Sequence, residues 1–283
     1  MPVLTLGYRH CDRKRPSYIK NSEIEGIAVL ARQQLVDAAA DAISLATLSA
    51  ISGLKINGVV FDLFVGTGDV VHDERGNPVL GICEYDPGVP DTAMVSVSPV
   101  GVNASEELVL STLGHELGHA IFDAPGWIVD ASKGPGLFDE PSDAARRAYR
   151  TTTRDVEHLA KVQPVVEAAA SPSLAIPGHT TKEEYFAELR ANEFMGSLLV
   201  PRQRLNLAVE ELAPKHGVTI YRSPSLDPDL PGTCLHLTAD GDIGFFDIEC
   251  LQKAVAKRFG VNRRFIQVRM ERYGLLKPGA KIV

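Results

Sequence analysis

The chain has 283 residues, of which 45% are hydrophobic and 23% are charged, and its formal net charge is −7. This composition is typical of a globular protein with one sizeable core or two smaller ones, and it excludes a largely disordered chain. Nine Lys or Arg residues and one acidic residue lie between Leu251 and Val283, so this tail carries +8 and the rest of the chain −15. Contacts with nucleic acid are therefore expected only in the tail.

The first part of the chain gives no sign of secretion or of a membrane span. In Met1–Pro16 the basic residues follow a short apolar run, which is the reverse of their order in a signal peptide. The weakly polar stretch Leu35–Leu54 contains two aspartates and is predicted to be a buried or amphipathic helix rather than a membrane span. The four cysteines form no CxxC pair, which favours a reduced cytoplasm and core positions for most of Cys11, Cys83, Cys234 and Cys250.

Two helices with β-type segments between them are predicted before residue 125. Ser22 and Glu25 form a capping-box pattern ahead of apolar residues with a helical period, so a helix is predicted to begin there. Ser105 begins the second helix, with acidic residues in its first turn and leucine and valine along one face. A small sheet is predicted from the three segments between the helices, which are Gly58–Val65, Val79–Glu84 and Ala93–Val97.

The second half of the chain begins with a predicted insertion at about residues 125–180. Its ends are rich in Gly, Pro, Ser and Asp, and a charged helical pattern lies between about Asp143 and Ala170. A strong helix is predicted from Thr181 to Leu199, before Pro201. A β-type stretch, Cys234–Phe246, and two short helices complete the chain.

The strongest chemical signal is His115-Glu116-Leu117-Gly118-His119, an HExxH motif in the second predicted helix. Its four-residue spacing stacks the imidazoles on one face of a helix, where both can bind one Zn²⁺ ion at about 2.0–2.1 Å. Glu116 projects beside them and is predicted to be the general base, which takes a proton from water and passes it to the leaving amine. The alternative is a helix in which the two histidines only pack.

Two histidines leave the ion short of a third protein ligand, and the helix Thr181–Leu199 offers one. Glu188 is preferred because Asn192, one turn later, could orient a ligating histidine through its other ring nitrogen. This gives the two-His-one-Glu set of catalytic zinc sites, with one ion per chain. The longer motif HExxHxxGxxH is excluded, since Phe122 and Pro125 occupy its Gly and third His positions. Other carboxylates on the helix are rival ligands or solvated charges: Glu184, the next choice, Glu183 and Glu193.

A peptidase also needs a hydrogen-bond donor for the oxyanion of the tetrahedral intermediate, commonly Tyr, His or Arg. Tyr185 and His179 are the first candidates and His236 is a third, although a structural role is the more frequent one for such residues. Cys11, next to His10, could block the metal in a latent form, and a disordered terminus is the simpler alternative.

The segment Leu251–Leu276 has the pattern of a helix-turn-helix, with its turn at Gly260–Asn262. Its second helix carries four arginines that are candidates for contact with DNA or with a partner protein: Arg263, Arg264, Arg269 and Arg272. The alternative is a small helical subdomain with a solvated basic face.

Three segments together resemble the ImmA/IrrE family of bacterial and phage metallopeptidases: HELGHAIFD, then Glu188-x-x-Ala191-Asn192-x-Phe194, then Leu198-Leu199-Val200-Pro201. The resemblance implies a zincin-like fold in which Glu188 binds zinc and Asn192 supports the site. It also implies that the substrate is a helix-turn-helix repressor protein. Two features depart from the family's pattern: the gap between His119 and Glu188 is longer, and Arg190 stands where an acidic residue is frequent.

The sequence therefore predicts an α+β protein in two parts. Residues 1–205 form a zincin-like domain with a small mixed sheet beside the HExxH helix, and residues 206–283 form a helix-turn-helix-like subdomain. The predicted function is zinc-dependent hydrolysis of a peptide bond in a protein partner. The alternatives are a non-catalytic, zinc-containing regulatory module that binds protein or DNA, and a metallohydrolase that acts on a non-peptide amide. Glu116 favours a hydrolase, since a purely structural zinc site does not need a general base.

Overall fold

The computed structural model of the protein describes residues 2–73, 76–101, 104–132, 146–150, 182–225, 233–239 and 244–276. It confirms the α+β class, with a mixed sheet and several helices. The chain divides into two compact units, the first formed by Met1–Ala38 and Ser44–Leu198 and the second by Ala39–Ile43 and Leu199–Val283. The division predicted from the sequence lies a few residues later, after residue 205.

The strands of the first unit are β1 (Val3–Leu6), β2 (Gly53–Ile56), β3 (Val59–Gly66), β4 (Val71–His72), β5 (Pro78–Val79), β6 (Gly81–Tyr85), β7 (Thr92–Val97) and β8 (Arg146–Arg150). Six of them form one sheet in the order β1-β2-β3-β7-β6-β8, and β4 pairs separately with β5. In the sheet, β1 is parallel to β2 and β3 is parallel to β7, whereas the other neighbours are antiparallel. The three predicted β-type segments therefore do form strands of this unit.

The helices of the first unit are α1 (Asn21–Leu35), α2 (Leu45–Ser49), α3 (Glu106–Phe122), α4 (Ala124–Ser132) and α5 (Lys182–Leu199). α1 begins slightly before the predicted Ser22, because a carboxylate oxygen of Glu23 accepts a 2.8 Å hydrogen bond from the backbone N–H of Lys20. α3 begins as predicted, since the hydroxyl of Ser105 accepts a 3.3 Å hydrogen bond from the N–H of Leu108. α5 confirms the predicted helix before Pro201.

The stretch Leu35–Leu54 is not the single helix that was predicted. α1 ends at Leu35, and α2 is a separate helix of five residues. The Ser44 hydroxyl accepts a 3.1 Å hydrogen bond from the N–H of Thr47 and so begins this new helix. β2 then begins at Gly53. The apolar residues of this stretch therefore belong to the end of α1, to α2 and to the start of β2, and not to one helix.

The predicted insertion at about residues 125–180 is partly regular structure. Its first residues belong to α4, where Pro125 lies in the first turn, a position that tolerates proline. Arg146–Arg150, inside the predicted charged helix, instead forms β8, which pairs with β6 along its whole length. The backbone ladder and a 3.2 Å ion pair between Arg147 and Glu84 favour the strand. The rest of the insertion, residues 133–145 and 151–181, lies outside the described residues.

α3 is the central helix of the first unit, and all fourteen residues from Val109 to Phe122 are buried. It packs against β6 and β7 on one side and approaches α5 on another. A Cβ atom at Gly81 of β6 would lie 2.6 Å from Cγ2 of Thr112, and a Cβ atom at Gly118 would lie 2.9 Å from Cα of Ala191 on α5. Because Cβ atoms do not approach other atoms so closely, both contacts require glycine.

The second unit contains α6 (Arg202–Leu212), a 3₁₀ helix (Ala213–His216), β9 (Thr219–Pro224), β10 (Thr233–Thr238), α7 (Gly244–Phe259) and α8 (Arg263–Arg272). β9 and β10 are antiparallel, and the predicted β-type stretch Cys234–Phe246 is only partly a strand because α7 begins at Gly244. The turn between α7 and α8 is the predicted one. Gly260 has a φ of 67°, and Oδ1 of Asn262 accepts a 2.7 Å hydrogen bond from the N–H of Phe265, which caps α8.

The cysteines do not occupy the core positions expected of most of them. Cys83 on β6 is buried, whereas Cys11 and Cys250 are exposed and Cys234 is half-buried. Cys11 lies in the loop that precedes α1, and Cys250 lies on the exposed side of α7.

None of the helices in the described part of the chain combines the length and the apolar character that crossing a bilayer requires.

Gly118→Ala is expected to destabilise the protein by about 1–3 kcal/mol, because the new methyl group would push α3 away from α5. Gly26→Ala is the matched control, since Gly26 lies in α1 and a Cβ atom there meets nothing within 4 Å. That control should be neutral or stabilising by up to about 1 kcal/mol, as helix propensity predicts. Urea unfolding of the metal-free proteins measures both values. Equal stabilities would contradict the close packing of α3 on α5.

Candidate metal centre

Three predicted ligands meet between α3 and α5. His115 and His119 are each 1% exposed, and the side chain of Glu188 is 13% exposed. The Nε2 atoms of the histidines are 3.2 Å apart, and the carboxylate oxygens of Glu188 lie 3.3 Å from Nε2 of His115 and 3.1 Å from Nε2 of His119. Among the described residues, these three form the one group of His, Cys, Asp or Glu whose potential ligand atoms all lie within 4.8 Å of one another.

The spacing of these atoms fits a small tetrahedral ion. Zinc bonds of about 2.0–2.1 Å in a tetrahedron place neighbouring ligand atoms about 3.3–3.4 Å apart. The three observed separations, 3.1 to 3.3 Å, are close to that value, although Oε2 of Glu188 lies nearest to His115 and Oε1 lies nearest to His119. Two imidazoles and a carboxylate are also a donor set that zinc accepts in catalytic sites. The cluster can therefore hold a metal ion, with one coordination position left for a ligand from outside the three side chains.

The ligands come together because of where they lie on their helices. His115 and His119 are one turn apart on α3, so their rings share one face of the helix. Gly118 lies next to His119, and its contact with Ala191 brings α5 close to that face. Glu188 precedes Ala191 by three residues, so its side chain points to the same side of α5. The close contact between the helices thus sets the distance between the ligands.

Glu116 is fully buried and is directed at the sheet side of α3. A Cβ atom at Gly81 would lie 3.0 Å from Cγ of Glu116 and 3.1 Å from its Oε1. The missing side chain at Gly81 therefore makes room for the Glu116 carboxylate. Glu116 is not a member of the ligand cluster, which agrees with a role other than metal binding. Gly81 carries no local sequence signal of this role, because its importance comes from packing between the sheet and α3.

The residue that orients His119 is Asp123 and not the predicted Asn192. Nδ1 of His119 lies 2.8 Å from Oδ2 of Asp123, and the other oxygen, Oδ1, accepts a 3.0 Å hydrogen bond from Nη2 of Arg190. Within the described residues, Asn192 makes no hydrogen bond to either histidine. Asp123 follows His119 by four residues, so the i, i+4 spacing on α3 was the sequence signal that could have found it.

Charges around the cluster stabilise its ionised groups. Burial alone would lower the pKa of His119, but the carboxylates of Glu188 and Asp123 raise it well above its usual value. Burial alone would raise the pKa of Glu188, but the two imidazoles hold it well below its usual value. The cluster therefore favours positive charge near the carboxylate. A metal ion would replace the proton of His119, since a ligating nitrogen must be deprotonated.

Tyr8 closes the end of α3 next to this cluster. Its hydroxyl lies 2.9 Å from the carbonyl oxygen of Ile121 and 3.2 Å from that of Phe122, and its ring packs on the ring of Phe122 at 5.1 Å. Burial, and then the nearby Asp123 carboxylate, raise the pKa of Tyr8 well above its usual range. The hydroxyl is therefore a donor to the last carbonyl groups of the helix.

The rival ligands on α5 lie elsewhere. Glu183 and Glu184 are exposed at the start of the helix. Glu193 is buried, and its carboxylate accepts a 3.1 Å hydrogen bond from the hydroxyl of Ser197. Cys11 is exposed and does not belong to the ligand cluster. The assignment of Glu188 as the third ligand is the one that the geometry supports.

The predicted oxyanion donors have different surroundings. Tyr185 lies three residues before Glu188 on α5 and is half-buried, and burial raises its pKa, so its hydroxyl stays protonated. His179 lies outside the described residues. His236 belongs to the second unit, where its Nε2 is 2.7 Å from the hydroxyl of Ser223 and its ring stacks on Tyr221 at 4.9 Å. Of the three candidate oxyanion donors, Tyr185 is the one that lies close in sequence to a candidate metal ligand, Glu188.

The four tail arginines are not equally available for contact. Arg269 is 5% exposed, with its guanidinium 4.4 Å from the ring centre of Tyr273 and a hydrogen bond to the Tyr273 hydroxyl. Its predicted role as a DNA or partner contact is therefore wrong, because the side chain is packed inside the second unit. Arg264 is exposed, Arg272 is half-buried, and Arg263 is half-buried with a 3.2 Å hydrogen bond to Gln252.

No protein-family model matches the chain, and comparisons with curated proteins and with solved structures give no match. The family resemblance therefore rests on three sequence segments alone: HELGHAIFD, Glu188-x-x-Ala191-Asn192-x-Phe194 and Leu198-Leu199-Val200-Pro201. The chemistry of the candidate centre follows from the side chains that the fold brings together.

Purified protein is expected to bind about one zinc ion per chain, and His115→Ala, His119→Ala and Glu188→Ala should each lose most of it, because each removes one of three ligands. Glu184→Ala and Glu193→Ala are matched controls on the same helix as Glu188 and should keep it. Metal analysis after dialysis against a weak chelator measures the content. Equal zinc in all five variants would reject the centre.

Arg269→Met should destabilise the second unit by about 1–3 kcal/mol, because it removes a buried hydrogen bond and the stacking on Tyr273. Arg264→Met, an exposed residue of the same helix, should change stability by less than about 0.5 kcal/mol. Chemical unfolding of the two variants beside the parent protein provides the comparison. A loss as large for Arg264→Met as for Arg269→Met would contradict the burial of Arg269.

Proposed function

We propose that the protein is a zinc-dependent peptidase that hydrolyses a peptide bond in a protein partner. The observation that carries the proposal is the buried cluster of two imidazoles and one carboxylate, with Glu116 buried beside it but outside the ligand set. Catalytic zinc sites have three protein ligands and an open position, whereas structural sites are usually closed by four. Among the described residues, no fourth ligand joins His115, His119 and Glu188.

Each residue of the centre has a role in this proposal. Zinc, when bound by His115, His119 and Glu188, supplies Lewis acidity and lowers the pKa of a water ligand toward about 7. Glu116 takes the proton of the attacking water and later gives it to the leaving amine. Glu116 directly follows His115 and precedes His119 by three residues on α3, so its side chain is a neighbour of both ligands along the helix. Tyr185 is the candidate donor to the oxyanion.

We further propose a zincin-like fold and a helix-turn-helix repressor as the substrate, in the cytoplasm of a bacterium. The fold proposal is supported by a mixed sheet on one side of the HExxH helix and a ligand-bearing helix, α5, on another. The substrate and the setting rest on the resemblance of the motif segments to the ImmA/IrrE family. The second unit supports a helix-turn-helix-like subdomain, since α7 and α8 are joined by a three-residue turn that contains glycine.

The main alternative is a zinc-containing regulatory module without peptidase activity. Such a module needs the three ligands but has no use for Glu116. Burying a carboxylate costs free energy, so a position that is 0% exposed favours an acidic residue only where the acid has a task. Glu116 is therefore the residue at which the two proposals differ. A contact with DNA or a partner through α8 is compatible with either and would use the arginines outside the interior, which are Arg263, Arg264 and Arg272.

Glu116→Gln is expected to keep the fold and about one zinc ion per chain, while cleavage falls by at least about 10²-fold. Glutamine preserves the size of the side chain and removes its ability to accept the proton. The measurement pairs zinc content with cleavage: host lysate is incubated with parent or variant protein, and new N-termini are quantified by mass spectrometry. The Glu116→Gln protein also serves to capture the uncleaved partner for identification.

Glu184→Gln is the matched control, because Glu184 is an exposed glutamate of α5, and it should leave both quantities unchanged. Loss of zinc in Glu116→Gln alone would mean that Glu116 is a ligand or a structural support. Intact zinc with undiminished cleavage would reject Glu116 as the base. If the parent protein cleaves nothing but binds a partner as well as the variant does, the regulatory module is the correct function.

A further inference from the structure

We infer that Asp123 and Arg190 are positioning residues of the metal centre: Asp123 fixes the ring of His119, and Arg190 holds Asp123 and links it to the helix that carries Glu188. The inference rests on the metal centre of the proposed function and is independent of peptidase activity. It follows from a chain of contacts that runs from one ligand-bearing helix to the other.

The first contact sets the orientation of the His119 ring. Oδ2 of Asp123 is 2.8 Å from Nδ1 of His119, so the Nδ1–H group donates to the carboxylate and Nε2 faces the cluster. A carboxylate in this position selects the tautomer that leaves Nε2 free to bind metal and increases the basicity of the ring. Asp123 therefore prepares His119 for coordination without touching the ion.

The second contact connects this carboxylate to α5. Oδ1 of Asp123 accepts the 3.0 Å hydrogen bond from Arg190, so each oxygen of one carboxylate has a donor on a different helix. Arg190 lies only two residues after Glu188. The ion pair therefore holds together the parts of α3 and α5 from which His119 and Glu188 project.

The pair is largely buried. The side chains of Asp123 and Arg190 are 11% and 18% exposed, so the pair is shielded from solvent far more than a surface ion pair is. A pair at this depth depends on good geometry and on partners for its polar atoms. Both oxygens of Asp123 have a donor, whereas the buried Nε of Arg190 has no hydrogen-bond partner among the described residues, so the Nη2 contact is the one that holds Arg190 to Asp123. Tyr8 adds a further constraint, because its hydroxyl donates to the last carbonyl groups of α3, just before Asp123.

The test measures the zinc dissociation constant by competition with a chromophoric chelator, for Asp123→Asn, Arg190→Met and the double variant. Asparagine has no charge and replaces one of the two oxygens by an NH2 donor, which would face the donor group of His119 or of Arg190. The dissociation constant should therefore rise about 10- to 100-fold. Arg190→Met leaves the contact between Asp123 and His119 in place, so it should raise the zinc dissociation constant by a smaller factor than Asp123→Asn does. Because Arg190 acts through Asp123, the double variant should bind zinc about as weakly as Asp123→Asn alone.

Asn192→Ala is the matched control on α5 and should bind zinc like the parent protein. The melting temperature of the metal-free proteins separates positioning from a purely structural clamp. A clamp would lower the melting temperature in Asp123→Asn and Arg190→Met while leaving zinc affinity unchanged, and it would overturn the inference. Affinity losses that simply add in the double variant would also overturn it.

Asp123→Glu replaces Asp123→Asn if the latter does not fold, since it keeps the charge but moves it by one methylene group. It should still weaken zinc binding, and parent-like affinity would reject the inference. Failure of the parent protein to bind zinc would instead reject the metal centre of the proposed function. The two failures are therefore distinguishable, and neither measurement needs a peptide substrate.

Discussion

The candidate metal centre depends on how closely α3 and α5 approach each other at Gly118 and Ala191. Two histidines on one helix and a glutamate on another can surround a single ion only when the helices lie near enough for side chains of fixed length to converge. The contact at Gly118 is with the backbone of Ala191, which cannot move aside as a flexible side chain can. The distances between the ligand atoms are consequently set by packing before any metal binds, which is the kind of preorganisation that a precise site needs.

A second close contact, between α3 and Gly81 of β6, lies on a different face of α3. The face toward α5 carries the imidazoles, and the face toward β6 carries Glu116, which fits beside Gly81. A helix turns by about 100° per residue, so adjacent residues can serve different neighbours and still remain within a few ångströms of each other. In the proposed peptidase, this arrangement separates the metal ligands from the general base while keeping them on one helix. It also explains why α3 is buried along nearly its whole length, since every face has a neighbour or a function.

The elements that could be predicted from the sequence are those specified by local patterns. The cap at Ser105 and the pairing of the two histidines follow from spacing within α3. Glu188 does join the cluster, but the reason for preferring it, a contact between Asn192 and a histidine, is not what the structure shows. Asp123 lies four residues after His119, so its contact was the one that local spacing could have predicted. The prediction of Asn192 as the partner of a histidine failed because it depended on the relative rotation of α3 and α5, a tertiary property that spacing within one helix does not contain. β8 was missed for a similar reason: its strand state depends on the open edge of β6 and not on its own composition.

The ion pair between Asp123 and Arg190 explains how a cation can lie close to the candidate metal ligands. In isolation, a positive charge two residues from Glu188 would compete with a metal cation. In this protein the guanidinium of Arg190 donates to one oxygen of Asp123, and the other oxygen of Asp123 contacts Nδ1 of His119. The Asp123 carboxylate therefore neutralises the positive charge of Arg190 on the Nδ1 side of His119, away from the Nε2 atom that faces the cluster. The same principle applies in the second unit, where Arg258 contacts Asp41 and Glu211 and where Arg269 lies on Tyr273. Net charge along the sequence therefore overstates the free positive charge of the tail, because several of its cations are already committed to partners within the fold.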